Sequence, residues 1–110
     1  MTTPYEDLSA LNRLVHEPAR LAILTALSAC DEADFTFLLN ITGLTRGNLS
    51  SHLTKLEQGG LVVIRKTFEG RIPTTYARLT DEGWTALEEY WARLENVRKG
   101  IRPLKPIKTT

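Results

Sequence analysis

The stretch Leu44-Thr45-Arg46-Gly47-Asn48-Leu49-Ser50-Ser51-His52-Leu53-Thr54-Lys55-Leu56-Glu57-Gln58-Gly59-Gly60 reads as one amphipathic helix with both ends marked. The Thr45 hydroxyl suits an N-cap, where it accepts from free amides of the first turn. Gly59 and Gly60 supply the left-handed backbone that commonly ends a helix. Leu49, Leu53 and Leu56 recur at i, i+4 and i+7 and form a single apolar stripe. The other side is short and polar: Gly47, Ser50, Ser51 and Thr54, with Asn48 and Lys55 on a flank and Arg46 at the open end. No acid precedes Glu57. Such a helix suits a DNA major groove. An ordinary surface helix has the same pattern, so the neighbouring segments must decide.

Upstream, residues 1–6 read as a loose terminus, and Leu8, Leu11, Leu14 and Val15 follow at helical spacing as a short first helix. Pro18 breaks it, because the residue before a proline is pushed out of the helical region. Pro18 also suits the first turn of the next helix, the apolar run Ala19–Leu27, which we expect at the centre of the core. An acidic connection ends at Asp34, a cap for a helix over Phe35–Ile41, and Thr42-Gly43 makes a tight turn. Leu44 precedes the cap Thr45 and can staple to Leu49. A short helix, a tight turn with glycine and a polar-faced second helix make a helix-turn-helix.

Downstream the period changes. Leu61–Phe68 reads as a strand, residues 69–73 as turn, and Thr74–Leu79 as a returning strand. A two-stranded hairpin is marginal alone and must pack on the helices. Thr80 caps a last long helix, with Glu82 in its first turn. Trp84, Leu87, Trp91 and Leu94 follow the 3-4-3 spacing of a helix–helix seam. With Leu8 and Leu11 they are the candidate dimerisation residues, since two tryptophans are a large apolar load for so small a domain. Residues 1–99 form a single domain, with the dimerisation helix over about 80–99, and residues 100–110 read as a flexible basic tail.

Charge supports the helix-turn-helix. Net charge is only +1, yet residues 1–34 carry −4 and residues 35–79 carry +4. A positive excess around the polar-faced helix is the footprint of a phosphate-binding face. The single cysteine, Cys30, excludes an internal disulfide, and neither His16 nor His52 has a ligand partner at useful spacing, so no metal or other cofactor is expected. No apolar run approaches the ~20 residues of a membrane span. The polar opening residues do not read as a signal peptide, so a cytoplasmic protein with no membrane partner is expected.

The order helix, helix, helix-turn-helix, hairpin, long helix resembles the winged helix-turn-helix transcriptional regulators of bacteria and archaea, in particular small members between the MarR and ArsR types. The residues that carry the likeness are His16–Leu24, Leu44-Thr45 through Leu49–Leu53, Leu56-Glu57, Gly60–Val62, Phe68–Pro73 and Leu79–Gly83. The resemblance implies a mainly α, α+β winged helix fold that acts as a homodimer on double-stranded DNA. Recognition helices over residues 45–58 would enter successive major grooves, and wings over residues 65–75 would lie on the backbone or minor groove. Groove contacts would then come from Arg46, Asn48, Ser50, Ser51, Thr54 and Lys55, and wing contacts from Arg71 helped by Lys66. His52 sits where the family often has histidine. Its angle beside the leucine stripe leaves two roles open, a phosphate contact or a border of the core. Gly47 departs from the pattern, since it offers a base only close backbone approach.

The expected function is therefore sequence-specific DNA binding by a dimeric repressor at a pseudo-palindromic operator. The MarR likeness adds a small-molecule effector, in a cleft between the first, recognition and last helices. An alternative is a winged helix used as a protein-interaction module, which the modest net charge and the aromatic load of Trp84, Tyr90 and Trp91 would also fit. An enzyme is not expected. The chain has no Ser/His/Asp set at plausible spacing, no glycine-rich phosphate loop and no paired carboxylates in an apolar context.

Overall fold

A computed structural model describes residues 2–102. The expected tail of residues 100–110 lies outside the described residues from 103 onward, and the last helix runs through Gly100. Five helices and three strands follow in the order α1 (Pro4–Ser9), α2 (Pro18–Ser28), β1 (Ala33–Asp34), α3 (Phe35–Thr42), α4 (Arg46–Gln58), β2 (Val62–Glu69), β3 (Ile72–Leu79) and α5 (Asp81–Gly100).

The core is built around α2. Pro18 opens it, and the Glu17 carboxylate caps it by accepting from the amides of Ala19 (3.0 Å) and Arg20 (2.8 Å). Ile23, Leu24 and Leu27 are fully buried there and meet Leu38 of α3 and Leu49, Leu53 and Leu56 of α4. Each such side chain contributes about 1.5–3 kcal/mol through burial. The hairpin closes this cluster with Val62, Ala77 and Leu79.

The amino-terminal segment differs from the expected helix over Leu8–Val15. Thr3 and Glu6 form a reciprocal capping box around Pro4, and this start signal places α1 earlier, at Pro4–Ser9. The Asn12 side chain then accepts from the amides of Leu14 and Val15 and bends residues 10–17 into turns. Leu11 and Val15 reach the core from those turns.

The sheet has order β1-β3-β2, all antiparallel. β1 is an unexpected third strand, pairing Ala33 with Ala77 and Asp34 with Tyr76. The hairpin strands run further than expected, through Glu69 and from Ile72, leaving Gly70-Arg71 as the connection. Pro73 pairs with Phe68 inside the ladder. It lies beyond the reach of β1, at an open edge where a missing N–H is tolerated.

The end of α4 is a Schellman arrangement. Leu61 N–H donates to the Leu56 carbonyl and Gly60 N–H to that of Glu57, both at 3.0 Å. Only Gly60 is left-handed, at φ +78°, while Gly59 stays right-handed at −80°. At the start of α5, Gly83 lies so close to the preceding loop that a Cβ there would be 2.1 Å from the Leu61 carbonyl oxygen. Glycine is thus the residue that lets α5 dock.

Candidate nucleic-acid interface

The helix-turn-helix is α3, a short turn and α4. Gly43 ends α3 at φ +70°, Thr45 caps α4 by accepting from the Asn48 amide at 3.2 Å, and Leu44 packs against the core cluster containing Leu49. With Leu49, Leu53 and Leu56 buried, Arg46, Asn48, Ser50, Ser51, Thr54 and Lys55 are all exposed, as are Lys66 and Arg71 on the hairpin. These residues do not form one cluster. Arg46, Ser50 and Lys66 line a single groove of about 620 Å³ between α3, α4 and the hairpin, with Phe35, Ile64 and Tyr76 among its apolar walls. Asn48, Ser51, Thr54, Lys55 and Arg71 lie outside it. The Arg46 guanidinium sits 5.9 Å from the Phe35 ring centroid, a cation–π distance that props it at the helix start. The Thr54 hydroxyl donates to the Ser50 carbonyl at 3.0 Å, so part of its polarity is already satisfied within the helix.

The positive excess of residues 35–79 is not all available. Arg65 makes a bidentate pair with Glu32 at 2.7 and 3.1 Å and lies 4.4 Å over the Tyr76 ring. The pairing holds the Glu32 carboxyl below, and the Arg65 guanidinium above, their ordinary values. The Tyr76 hydroxyl donates to Glu69, which pushes the phenol pKa up and engages the hairpin's acid. Arg46, Lys55, Lys66, Arg71 and Arg78 have no ion-pair partner among the described residues.

His52 takes the second of its two open roles. Its ring is half-buried against α2, with Nδ1 3.6 Å from Glu17 Oε2 and 3.3 Å from Arg20 Nη1. Arg20 was not singled out by the sequence. Its Nε donates to the Leu14 carbonyl at 2.6 Å and its Nη2 to that of Arg13 at 3.3 Å, so it clamps the 10–17 turns beside α4. His16 sits at a boundary, its Nδ1 2.8 Å from the Tyr90 hydroxyl of α5.

The expected dimerisation set divides. The inward face of α5 is Gly83, Leu87, Tyr90 and Val97, with Leu94 half-buried beside it. Leu11 and Leu87 are drawn into this chain's own core, at 5% and 3% exposure, because Gly83 and Tyr90 rotate the helix relative to the 3-4-3 seam. Both side chains already pack within the single chain. Leu8, Trp84 and Trp91 remain exposed. The apolar cavity also differs from the expected cleft. It has a volume of about 650 Å³ and is lined by α2, Ile41 and Thr42 at the end of α3, and Trp91, with no residue from α1 or α4.

Among the described residues no helix is long and apolar enough to cross a membrane. Across residues 19–97 the chain matches the winged helix DNA-binding domain family. It is 31% identical over 90 residues to an uncharacterized protein of Methanocaldococcus jannaschii, covering 81% of this chain and 97% of that one. The structure of a transcriptional regulator homologue from Pyrococcus horikoshii superposes with a TM-score of 0.80 at 32% identity, covering 86% of this chain and 96% of the other. NadR in complex with 4-hydroxyphenylacetate superposes with a TM-score of 0.67 at 26% identity, covering 86% and 67%. The fold is shared with solved structures described as transcriptional regulators, an ArsR family member among them. With its helix-turn-helix, basic hairpin and long last helix matched in order, this chain belongs to the winged helix DNA-binding domain family.

Proposed function

We propose that this chain is a homodimeric transcriptional repressor that binds double-stranded DNA in a sequence-specific manner. The observation that carries the reading is the exposed polar face of α4, rigidly backed by Leu49, Leu53 and Leu56 and flanked by the unpaired cations of the hairpin. Arg46 and Asn48 are the long side chains on that face suited to guanine and adenine edges, at roughly 1–3 kcal/mol of discrimination per bidentate contact. Lys55, Lys66 and Arg71 contact phosphates and orient the domain, while Ser50, Ser51 and Thr54 hold phosphates or waters. Two-fold symmetry requires half-sites about one turn apart, roughly 10 base pairs. A small apolar effector would bind in the cavity beside Trp91, where it could alter the spacing of the two reading helices.

The test is a fluorescence titration of duplexes selected from a random-sequence pool by the wild-type chain. Arg46→Ala relaxes base preference within a half-site. Arg71→Ala weakens all sequences alike and flattens the slope of log affinity against log salt by about one. Affinity and slope unchanged by both substitutions would remove the assignment of the reading face.

A further inference from the structure

The apolar cavity of about 650 Å³ is a trough along α2. Ala22, Ala26 and Ala29 recur there at successive helical turns, and their small side chains leave it open beside Leu21, Ile41 and Trp91. From Pro18 to Ala29 it is about 16 Å long, at 1.5 Å of rise per helical residue. Ile41 and Trp91 are large apolar side chains exposed along it. Glu88 and Glu95 stand one turn to either side of Trp91 on α5. Glu95 is engaged by Arg98 and Lys99, whereas Glu88 is exposed and has no ion-pair partner among the described residues.

The chain leaves α5 at Ile101 with φ −73° and ψ 126°, close to polyproline II geometry. From there the sequence falls into triplets: Ile101-Arg102-Pro103, Leu104-Lys105-Pro106 and Ile107-Lys108-Thr109. Each proline fixes its own φ near the polyproline II value and disfavours helix at the residue before it. Polyproline II has three residues per turn. Wound that way, the triplets put Ile101, Leu104 and Ile107 on one ridge and Arg102, Lys105 and Lys108 on a second. Neighbouring side chains on a ridge are then about 9 Å apart.

We propose that residues 103–108 fold back on their own chain and dock in this trough as a polyproline II strand, with Leu104 and Ile107 seated between α2 and Trp91 and the basic ridge facing Glu88. The lengths agree. Trp91 lies about 14 Å along α5 from Gly100. Residues 101–107 reach about 22 Å, which leaves room to reverse direction. The trough is as long as about five polyproline II residues, enough for two apolar side chains of the ridge and not three. Aromatic-lined grooves take such strands because the strand is preformed and loses little entropy on docking. The short tether supplies the tail at an effective concentration in the roughly millimolar range, so weak contacts suffice to seat it. This docking does not depend on the DNA reading. A small apolar effector of the same cavity has to displace the tail to enter.

The experiment uses the full chain carrying Trp84→Phe, so that Trp91 is its one remaining tryptophan. Emission wavelength and acrylamide quenching then read what covers Trp91. Leu104→Asp with Ile107→Asp unseats the tail: emission moves to the red, quenching rises, and the apolar dye ANS gains a site in the opened trough. Leu104→Val with Ile107→Val keeps the apolar ridge and the parent's readings. Glu88→Gln moves emission part of the way to the red. Added salt does the same to the parent chain and not to the unseated variant. These readings hold across protein concentration, because the contact lies within one chain. Equal emission and quenching in the parent and the unseated variant overturn the proposal. So does emission that follows protein concentration and ignores the tail substitutions, which makes a second copy the cover. Weaker binding of a selected duplex by the unseated variant, with Trp91 unmoved, also overturns it and makes the tail a phosphate contact. The reading face is tested separately, by the Arg46→Ala and Arg71→Ala titrations, and stands or falls without the tail. Far-UV circular dichroism confirms that the tail substitutions leave the fold in place.

Discussion

Glu17 joins two parts of the molecule through one carboxylate. It caps α2 through the amides of Ala19 and Arg20, and it faces His52 on α4. Burial alone would raise its pKa. The two backbone hydrogen bonds, with the charges of His52 and Arg20, outweigh burial and hold it below the ordinary value of 4.5. The charged form therefore stabilises the fold fully above the unfolded value, and that contribution is lost as pH falls through the lower folded value. Thermal melts of the wild-type chain and Glu17→Gln should differ at neutral pH, with the variant less stable by about 0.5–2 kcal/mol as for other lost caps. The gap should shrink as pH drops below 4.5. A gap independent of pH would mean that the carboxylate's charge is not what stabilises. Single residues were unevenly legible in the sequence. The exposed face of α4 follows from helical period alone, which is why Arg46 to Lys55 could be placed. Arg20 could not, because two of its partners are backbone carbonyls of turns and another, His52, lies 32 positions away. Nor could the Arg65–Glu32 pair, whose members are 33 positions apart and meet only when the sheet forms.

At the level of elements, local signals were dependable where they were complete. Asp34 and Thr45 cap α3 and α4 as their residue types suggest. The first helix starts earlier than its apolar spacing predicts, because the capping box at Thr3–Glu6 outweighs that spacing. β1 was invisible, since two residues are too few to show a period. The inner face of α5 is rotated from that seam because apolar residues occupy more than one of its faces, and tertiary contacts, Leu61 against Gly83 and His16 against Tyr90 among them, select the inner one. Gly83→Ala tests that docking. The added carbon falls against backbone, which cannot swing aside as a side chain can. Destabilisation by about 1–3 kcal/mol is expected in urea unfolding. A neutral result would mean that α5 approaches the loop less closely.

For the molecule as a whole, Trp84 and Trp91 are the surface on which assembly is tested. These are the chain's two tryptophans, at 40% and 45% exposure on one helix. If the chain pairs through this face, it should sediment at micromolar concentration near twice its 12.4 kDa mass. Trp84→Asp should yield a folded monomer whose remaining Trp91 emits further to the red. Leu87→Ala should behave differently, costing about 2–5 kcal/mol of fold stability because that side chain belongs to the chain's own core. A wild-type monomer would remove the requirement for two half-sites.

The two-residue strand β1 has a mechanical consequence. Asp34 is both its last residue and the cap of α3, so the helix-turn-helix is stitched directly to β3 of the hairpin. The wing is therefore no loose flap. Its base is tied through Ala77 and Tyr76 to the segment that starts α3, which sets the wing's position relative to the helix-turn-helix. If the chain reads DNA as proposed, it would gauge spacing as well as identity: one base pair inserted between the contacts of helix and wing would cost more affinity than one base exchanged beneath either.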